Sequence, residues 1–163
     1  MAHPIGIDLM NSTTDKLPPS QEILDTQADI VETFELFDDW ADRYQYIIDL
    51  GRGLSDLTAA QKSEENRLKG CQSQVWIDTE MRGDLLHFDA ISDSAIVSGL
   101  IAMMLKVYSD RRPADIIATP PDFIKQIQLE EHLSPTRSNG LSAMVLQIRK
   151  VALEALAENV AAR

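Results

Sequence analysis

The stretch Cys71-Gln72-Ser73-Gln74-Val75-Trp76-Ile77-Asp78, followed by Met81-Arg82-Gly83-Asp84 and then Leu85-Leu86-His87-Phe88-Asp89-Ala90, carries the pattern that decides the fold. Side chains alternate along a strand, so Ser73, Val75 and Ile77 share one side while Gln72, Gln74 and Trp76 share the other. Residues 85–90 alternate in the same way, with Leu86, Phe88 and Ala90 against Leu85, His87 and Asp89. The turn residues between the two runs make them an antiparallel hairpin. This reading starts the first strand at Cys71 and adds a third strand from Asn66 to Lys69, with Cys71 in the bend between two strands.

The segments on either side of the hairpin read as helices. Upstream, Thr26 with Asp29 marks a helix start, and Ile30, Phe34 and Phe37 form its apolar stripe. Asp38 or Asp39 caps a second helix that buries Trp40, Tyr44, Ile47 and Ile48 and is stopped by Gly51 and Gly53. Residues 54–65 are polar and turn-like. Downstream, Ser92 or Asp93 caps a helix that is apolar nearly all round, from Ala95 to Tyr108. At about 14 residues it falls short of the ~20 needed to span a bilayer, so it is the core helix. Gly99 within it predicts a close approach by a neighbouring element, and Met103 and Met104 fill core space. Pro113, Pro120 and Pro121 punctuate a short helix before a segment from Phe123 to Glu131. Ser134-Pro135 opens a last helix whose stripe of Leu141, Met144, Val145, Ile148, Val151, Ala152 and Leu156 packs on the core. The fold class is therefore α+β, a small antiparallel three-stranded sheet packed against helices. Residues 1–24 read as a mobile tail and 25–163 as a single domain.

Composition narrows the function classes. The chain has 163 residues, 26 acidic against 15 basic, and a formal charge of −11. Such a charge opposes the counterion release on which nucleic-acid binding depends, and it disfavours anionic membranes. With one cysteine no internal disulfide forms, and no export signal opens the chain, so the expectation is a reducing cytoplasm. Gly51-Arg52-Gly53 is no nucleotide loop, since it follows a helix and lacks a third glycine. Zinc is disfavoured because His3, His87 and His132 have no paired spacing. His87, in a strand beside Asp89, reads as a surface residue.

Chemistry, if present, centres on Cys71. Gly70 before it allows backbone angles closed to other residues and hence a sharp turn that presents the thiol. An unpaired cysteine is also among the types most often buried as a small apolar residue. Four ordered segments bear on that choice. Gly70-Cys71-Gln72-Ser73-Gln74-Val75-Trp76, Ser92-Asp93-Ser94-Ala95-Ile96-Val97-Ser98-Gly99-Leu100-Ile101, His132-Leu133-Ser134-Pro135-Thr136-Arg137-Ser138-Asn139-Gly140-Leu141 and Phe37-Asp38-Asp39-Trp40-Ala41-Asp42-Arg43-Tyr44 resemble segments of the SufE family of cysteine desulfuration proteins, over roughly residues 25–160.

That resemblance implies a fold shared with U-type iron–sulfur scaffold proteins and a role for Cys71 as a sulfur acceptor. It implies a partner, a SufS-like cysteine desulfurase that holds its own PLP, and a downstream iron–sulfur scaffold complex that receives the sulfur. No cofactor is expected on this chain. The cysteine takes sulfane sulfur as a persulfide. Arg137 is the candidate cation for raising its thiolate fraction or else a residue that shapes the pocket, and the positive end of the core helix at Ser92 and Asp93 is a second source of positive charge. Gln72, Gln74 and Trp76 are expected beside the thiol, with Trp76 either buried or part of a docking surface. Two rivals remain. A scaffold needs several thiolates where this chain has one. A cysteine hydrolase needs an activating base, for which His132 is the candidate.

Overall fold

The computed structural model describes residues 17–161. The tail reading of residues 1–16, including His3, lies outside the described residues. Helix α1 spans Gln21–Glu35 and starts five residues before Thr26, because Ser20 accepts from the Ile23 amide and caps it. Thr26 instead sits inside the helix, its hydroxyl donating to Glu22 O at 3.0 Å. Residues 21–24 therefore belong to the folded unit. Long-range contacts hold this start in place. The Ser20 amide donates to Thr119 Oγ1 at 2.8 Å, while the buried Gln27 donates to Pro120 O at 3.0 Å and accepts from the Phe123 amide at 3.0 Å. A buried amide side chain must be paired at both ends, and Gln27 is.

Helix α2 (Trp40–Arg52) is capped by Asp39, which accepts from the Asp42 amide at 2.9 Å. Strands β1 (Val75–Arg82) and β2 (Leu85–Ser92) pair antiparallel from Val75 opposite Ser92 to Arg82 opposite Leu85, leaving the two-residue turn Gly83-Asp84. The hairpin alternation is borne out. Val75, Ile77, Leu86, Phe88 and Ala90 are buried, and each large side chain of this set contributes about 1.5–3 kcal/mol on leaving water. The core helix, α3 (Ala95–Tyr108), packs against β2 and α2. Its cap is Ser94, which accepts from the Val97 amide, rather than Ser92 or Asp93. Met103 and Met104 are fully buried within it.

Gly51 is not a stop signal, as the sequence reading has it. It lies within α2, and a Cβ placed on it would stand 2.6 Å from Gly99 N. One placed on Gly99 would stand 2.1 Å from Ile47 O. The two glycines let α2 and α3 touch backbone to backbone.

Among the described residues the sheet has two strands, not three. The segment before Cys71 makes a single bridge, Arg67 with Trp76, flanked by Leu68 N to Val75 O and Ile77 N to Asn66 O, each 2.8 Å. The first strand also begins at Val75 rather than at the cysteine. Beyond α4 (Pro113–Ala118), the short helix expected among the prolines, the following segment forms α5 (Phe123–Gln126) and a 3₁₀ turn (Leu129–His132). Gln128 between them takes a φ of 57°, left-handed backbone that no helix continues through. Helix α6 (Pro135–Ala161) buries Leu141, Met144, Ile148 and Ala152. Ser134 caps it, accepting from the Arg137 amide at 3.3 Å.

His87 is not the surface residue expected. Its ring joins β2 to the turn after α3, through Asp110 at 2.7 Å and Asp89 at 3.2 Å. Burial disfavours the charged ring, but hydrogen bonds and charge from Asp110 and Asp89 outweigh it and raise the His87 pKa. A raised folded pKa contributes stability that is present below the unfolded value, ~6.5, and lost as pH rises through the folded one. We expect His87→Ala to lower the unfolding midpoint more at pH 6 than at pH 8.5; an equal loss at both would contradict the ion pairing.

Candidate functional site

Cys71 sits on a short loop strung between two backbone anchors. Upstream, Asn66 and Leu68 are pinned to β1 by the bridge already described. Downstream, Asp93 holds Gln74 twice, accepting its amide on Oδ1 at 3.1 Å and donating its own amide to Gln74 O at 3.3 Å. Among the described residues, no backbone hydrogen bond is made by Lys69 to Ser73. The upstream side of this free span is Gly70 at φ +90°, a backbone region that costs other residues about 1 kcal/mol or more. Gly70 is thus the bend predicted from its place before the cysteine.

The thiol is half-buried. It faces a small pocket between the start of α3 and the first turns of α6, lined on the α3 side by Val97 and Leu100 and on the α6 side by Arg137, Gly140, Leu141 and Met144. The Cys71 Sγ–H donates to Gly140 O at 3.8 Å, a long sulfur contact. Gly140 faces the sulfur without a side chain, and a Cβ there would stand 3.4 Å from Sγ. The cavity holds about 20 Å³ of free space, where one water-sized body needs ~10–15 Å³ on the same measure. Room therefore exists for about one more atom beyond Sγ.

Of the residues singled out in the sequence, Gly70, Cys71, Gln72, Asp93 and Arg137 come together here. Gln72 and Arg137 line the pocket, and Asp93 latches the loop. Trp76 does not join them. It lies on β1 past the latch, where Lys62 stands 5.9 Å above its ring. His132 does not either. Its ring stacks on Trp40 at a centroid distance of 3.8 Å, and its carbonyl accepts from the Tyr44 hydroxyl. It is absent from the pocket lining, so the thiol has no histidine base among the described residues. Gly140, Leu141 and Met144 were not singled out as site residues. Their signal was a glycine inside an otherwise regular helical stripe, one turn after Arg137.

The expected activation of the thiol in place is not found. Burial pushes the Cys71 pKa up, the opposite direction to the lowering expected from Arg137 or the α3 N-terminus. The neutral, inert form is favoured inside, and the reactive form outside. Removing the latch should shift that balance. Loss of one hydrogen-bond acceptor costs about 1 kcal/mol, so Asp93→Ala is expected to speed alkylation of Cys71 by iodoacetamide about fivefold at pH 7.5 and to lower the midpoint of its pH–rate curve. An unchanged rate and midpoint would show that Asp93 does not restrain the loop.

Among the described residues, no group of three or more His, Cys, Asp or Glu is placed to hold a metal ion, and no helix is long and apolar enough to cross a membrane. Comparison with known proteins adds a family. Residues 28–152 match the family model SufE, described as an Fe-S metabolism associated domain. An uncharacterised SufE-like protein of Rhizobium meliloti is 40% identical over 128 residues, covering 76% of this chain and 91% of the relative. Another from Rhizobium etli is 41% identical over 128 residues, covering 76% of this chain and 86% of the relative. The solution structure of a hypothetical protein from Thermus thermophilus superposes with a TM-score of 0.68 at 18% identity, over 86% of this chain and 99% of that one. That likeness shows a shared mixed fold of helices and antiparallel sheet.

Proposed function

The chain belongs to the SufE family and so to iron–sulfur metabolism, and from that premise we propose that it is a sulfur acceptor for a PLP-dependent cysteine desulfurase, carrying sulfane sulfur on Cys71. One observation supports this reading above the others. The sole cysteine rides a five-residue span without backbone bonds, over a pocket with room for about one further atom.

The transfer needs one nucleophile from this chain. With the loop swung out, the Cys71 thiolate attacks the outer sulfur of a persulfide on the partner's cysteine. A bond forms between Cys71 Sγ and that sulfur, the partner's S–S bond breaks, and the partner's thiolate leaves with the electron pair. The exchange needs no external oxidant or reductant, and its rate depends on thiolate fraction and access. Swinging out supplies both, because the thiol is then rehydrated and its pKa returns toward the ordinary ~8.5.

On return, the terminal sulfur occupies the space between Val97, Leu100 and Met144, away from thiols in solution. The load then passes to a downstream iron–sulfur scaffold. In this reading PLP stays with the partner, this chain holds no cofactor of its own, and the work takes place in the cytoplasm, where thiols remain reduced. A U-type scaffold role would need several thiolates, and a hydrolase role a base beside Cys71.

Titrating the chain into a SufS-like desulfurase with cysteine should raise alanine release severalfold and saturate near one chain per desulfurase subunit. No change in rate at any ratio would overturn the assignment.

A further inference from the structure

Gly140 is buried inside α6, although glycine is the least favourable residue for a helix interior after proline. The reasons that account for other glycines of the chain do not apply to it. Its φ is not positive, unlike those of Gly70 and Gly83, and no foreign backbone lies against it, unlike Gly51 and Gly99. Apart from the nearby helix backbone and its two chain neighbours, a Cβ built on Gly140 would meet one described heavy atom within 4 Å, Cys71 Sγ at 3.4 Å. The missing side chain therefore faces the sulfur, on the wall of a pocket with about 20 Å³ free. A methyl group is about as large as a sulfur atom, so alanine at this position would fill the space that one more sulfur needs.

We infer, on the reading of Cys71 as a persulfide carrier, that Gly140 is the specificity-determining residue of this pocket: the side chain it lacks is the seat of the sulfur atom that Cys71 carries. The two states of the cysteine need different things from this position. A bare thiol 3.4 Å from a Cβ is in ordinary contact and is accommodated. A persulfide reaches one S–S bond further, about 2 Å, and would collide with the methyl group.

Gly140→Ala therefore separates the states. The bare thiol keeps its place, while the loaded side chain is driven into solvent. There a thiolate from solution forms a bond to the terminal sulfur, the Cys71 S–S bond breaks, and the Cys71 thiolate leaves with the electron pair. The helix itself gains, because alanine favours it. A gain in stability joined to a shorter-lived load is a signature that a purely structural glycine would not give.

The test loads the full chain without any desulfurase. Cys71 is converted to a mixed disulfide with an aromatic thiol, and hydrosulfide then attacks the Cys71 sulfur, expelling the aromatic thiolate and leaving the persulfide. After removal of hydrosulfide, the native chain and Gly140→Ala are challenged with glutathione, and the extra sulfur is followed by mass spectrometry. Gly140→Ala is expected to lose it at least about tenfold faster, the scale of overpacking by one methyl group, while iodoacetamide alkylation of its bare thiol changes less than about threefold. Its melting temperature should equal or exceed the native one. Equal persulfide lifetimes would overturn the proposal. So would a lowered melting temperature, which would give Gly140 a structural role, or a bare thiol alkylated faster by the same factor, which would assign Gly140 to loop closure in both states. Since no desulfurase takes part, the result is independent of the alanine-release assay that tests the function.

Discussion

Replacing Cys71 with serine should abolish stimulation of the desulfurase and leave no sulfur on the chain, while affinity for the desulfurase changes less than about threefold, under 0.7 kcal/mol. The two side chains differ by one atom, so Cys71→Ser keeps the loop, its Gly70 bend and its Asp93 latch. The chemistry is what differs. A thiol exposed at neutral pH is a few per cent thiolate, and sulfur is intrinsically nucleophilic, whereas a serine hydroxyl without a neighbouring base is a weak nucleophile. The described residues around the pocket include no histidine to serve as such a base. Residual stimulation above about a tenth of the native value would mean that the chain acts by binding alone, and the covalent role would fail. A large loss of affinity would place the thiol in the docking contact itself.

The second large effect is on stability. Gly99→Ala adds one carbon where Ile47 O stands 2.1 Å away, Ile47 Cγ2 2.4 Å and Ile47 C 2.6 Å. Two of the three obstacles are backbone, so no rotamer change relieves the clash and α2 must move off α3. Alanine in place of glycine favours a helix by about 1 kcal/mol; the clash acts against it, at about 3 kcal/mol or more for overpacking a tight backbone contact. The net loss of at least about 2 kcal/mol corresponds to a fall in melting temperature of roughly 4–8 °C for a domain of this length. Gly53→Ala is the matched control. Its backbone has φ −80° and its nearest obstacle is Leu50 O at 3.3 Å, so a much smaller change is expected. A melting temperature for Gly99→Ala at or above the native value would contradict the backbone contact of the two helices.

The hairpin was legible because a period of two continued through both strands and a turn pair separated them. Its third member was not, because Asn66 to Leu68 has the composition of a strand but makes only two backbone bonds before Gly70 turns the chain away. Sequence pattern does not distinguish a bridge from a ladder. The α3 cap shows a related limit. Ser92, Asp93 and Ser94 are chemically equivalent as caps, and the choice falls to Ser94 because Asp93 is engaged with Gln74 across the loop. Contacts distant along the chain were invisible for the same reason. Gly51 looked like a helix end only while Gly99 was not beside it. The early start of α1 follows from Thr119 and Phe123, nearly a hundred residues on.

The site divides along the same line. Cys71 and Gly70 were readable from their adjacency, and Arg137 from its segment. The direction of the thiol's pKa was not, because burial depends on how α3 and α6 close around it. Trp76 was linked to the cysteine by its nearness in sequence and His132 as the base a hydrolase would need, but His132 is stacked on Trp40 and Trp76 lies beyond the Gln74 anchor.

The most direct measurement is mass spectrometry of the chain after incubation with a SufS-like desulfurase and cysteine, without reductant. The account predicts a peptide containing Cys71 heavier by one sulfur atom, the gain removed by a reducing thiol and missing when the desulfurase or its cysteine substrate is left out. A Cys71 peptide of unchanged mass, alongside a desulfurase that still turns over faster in the presence of the chain, would contradict it.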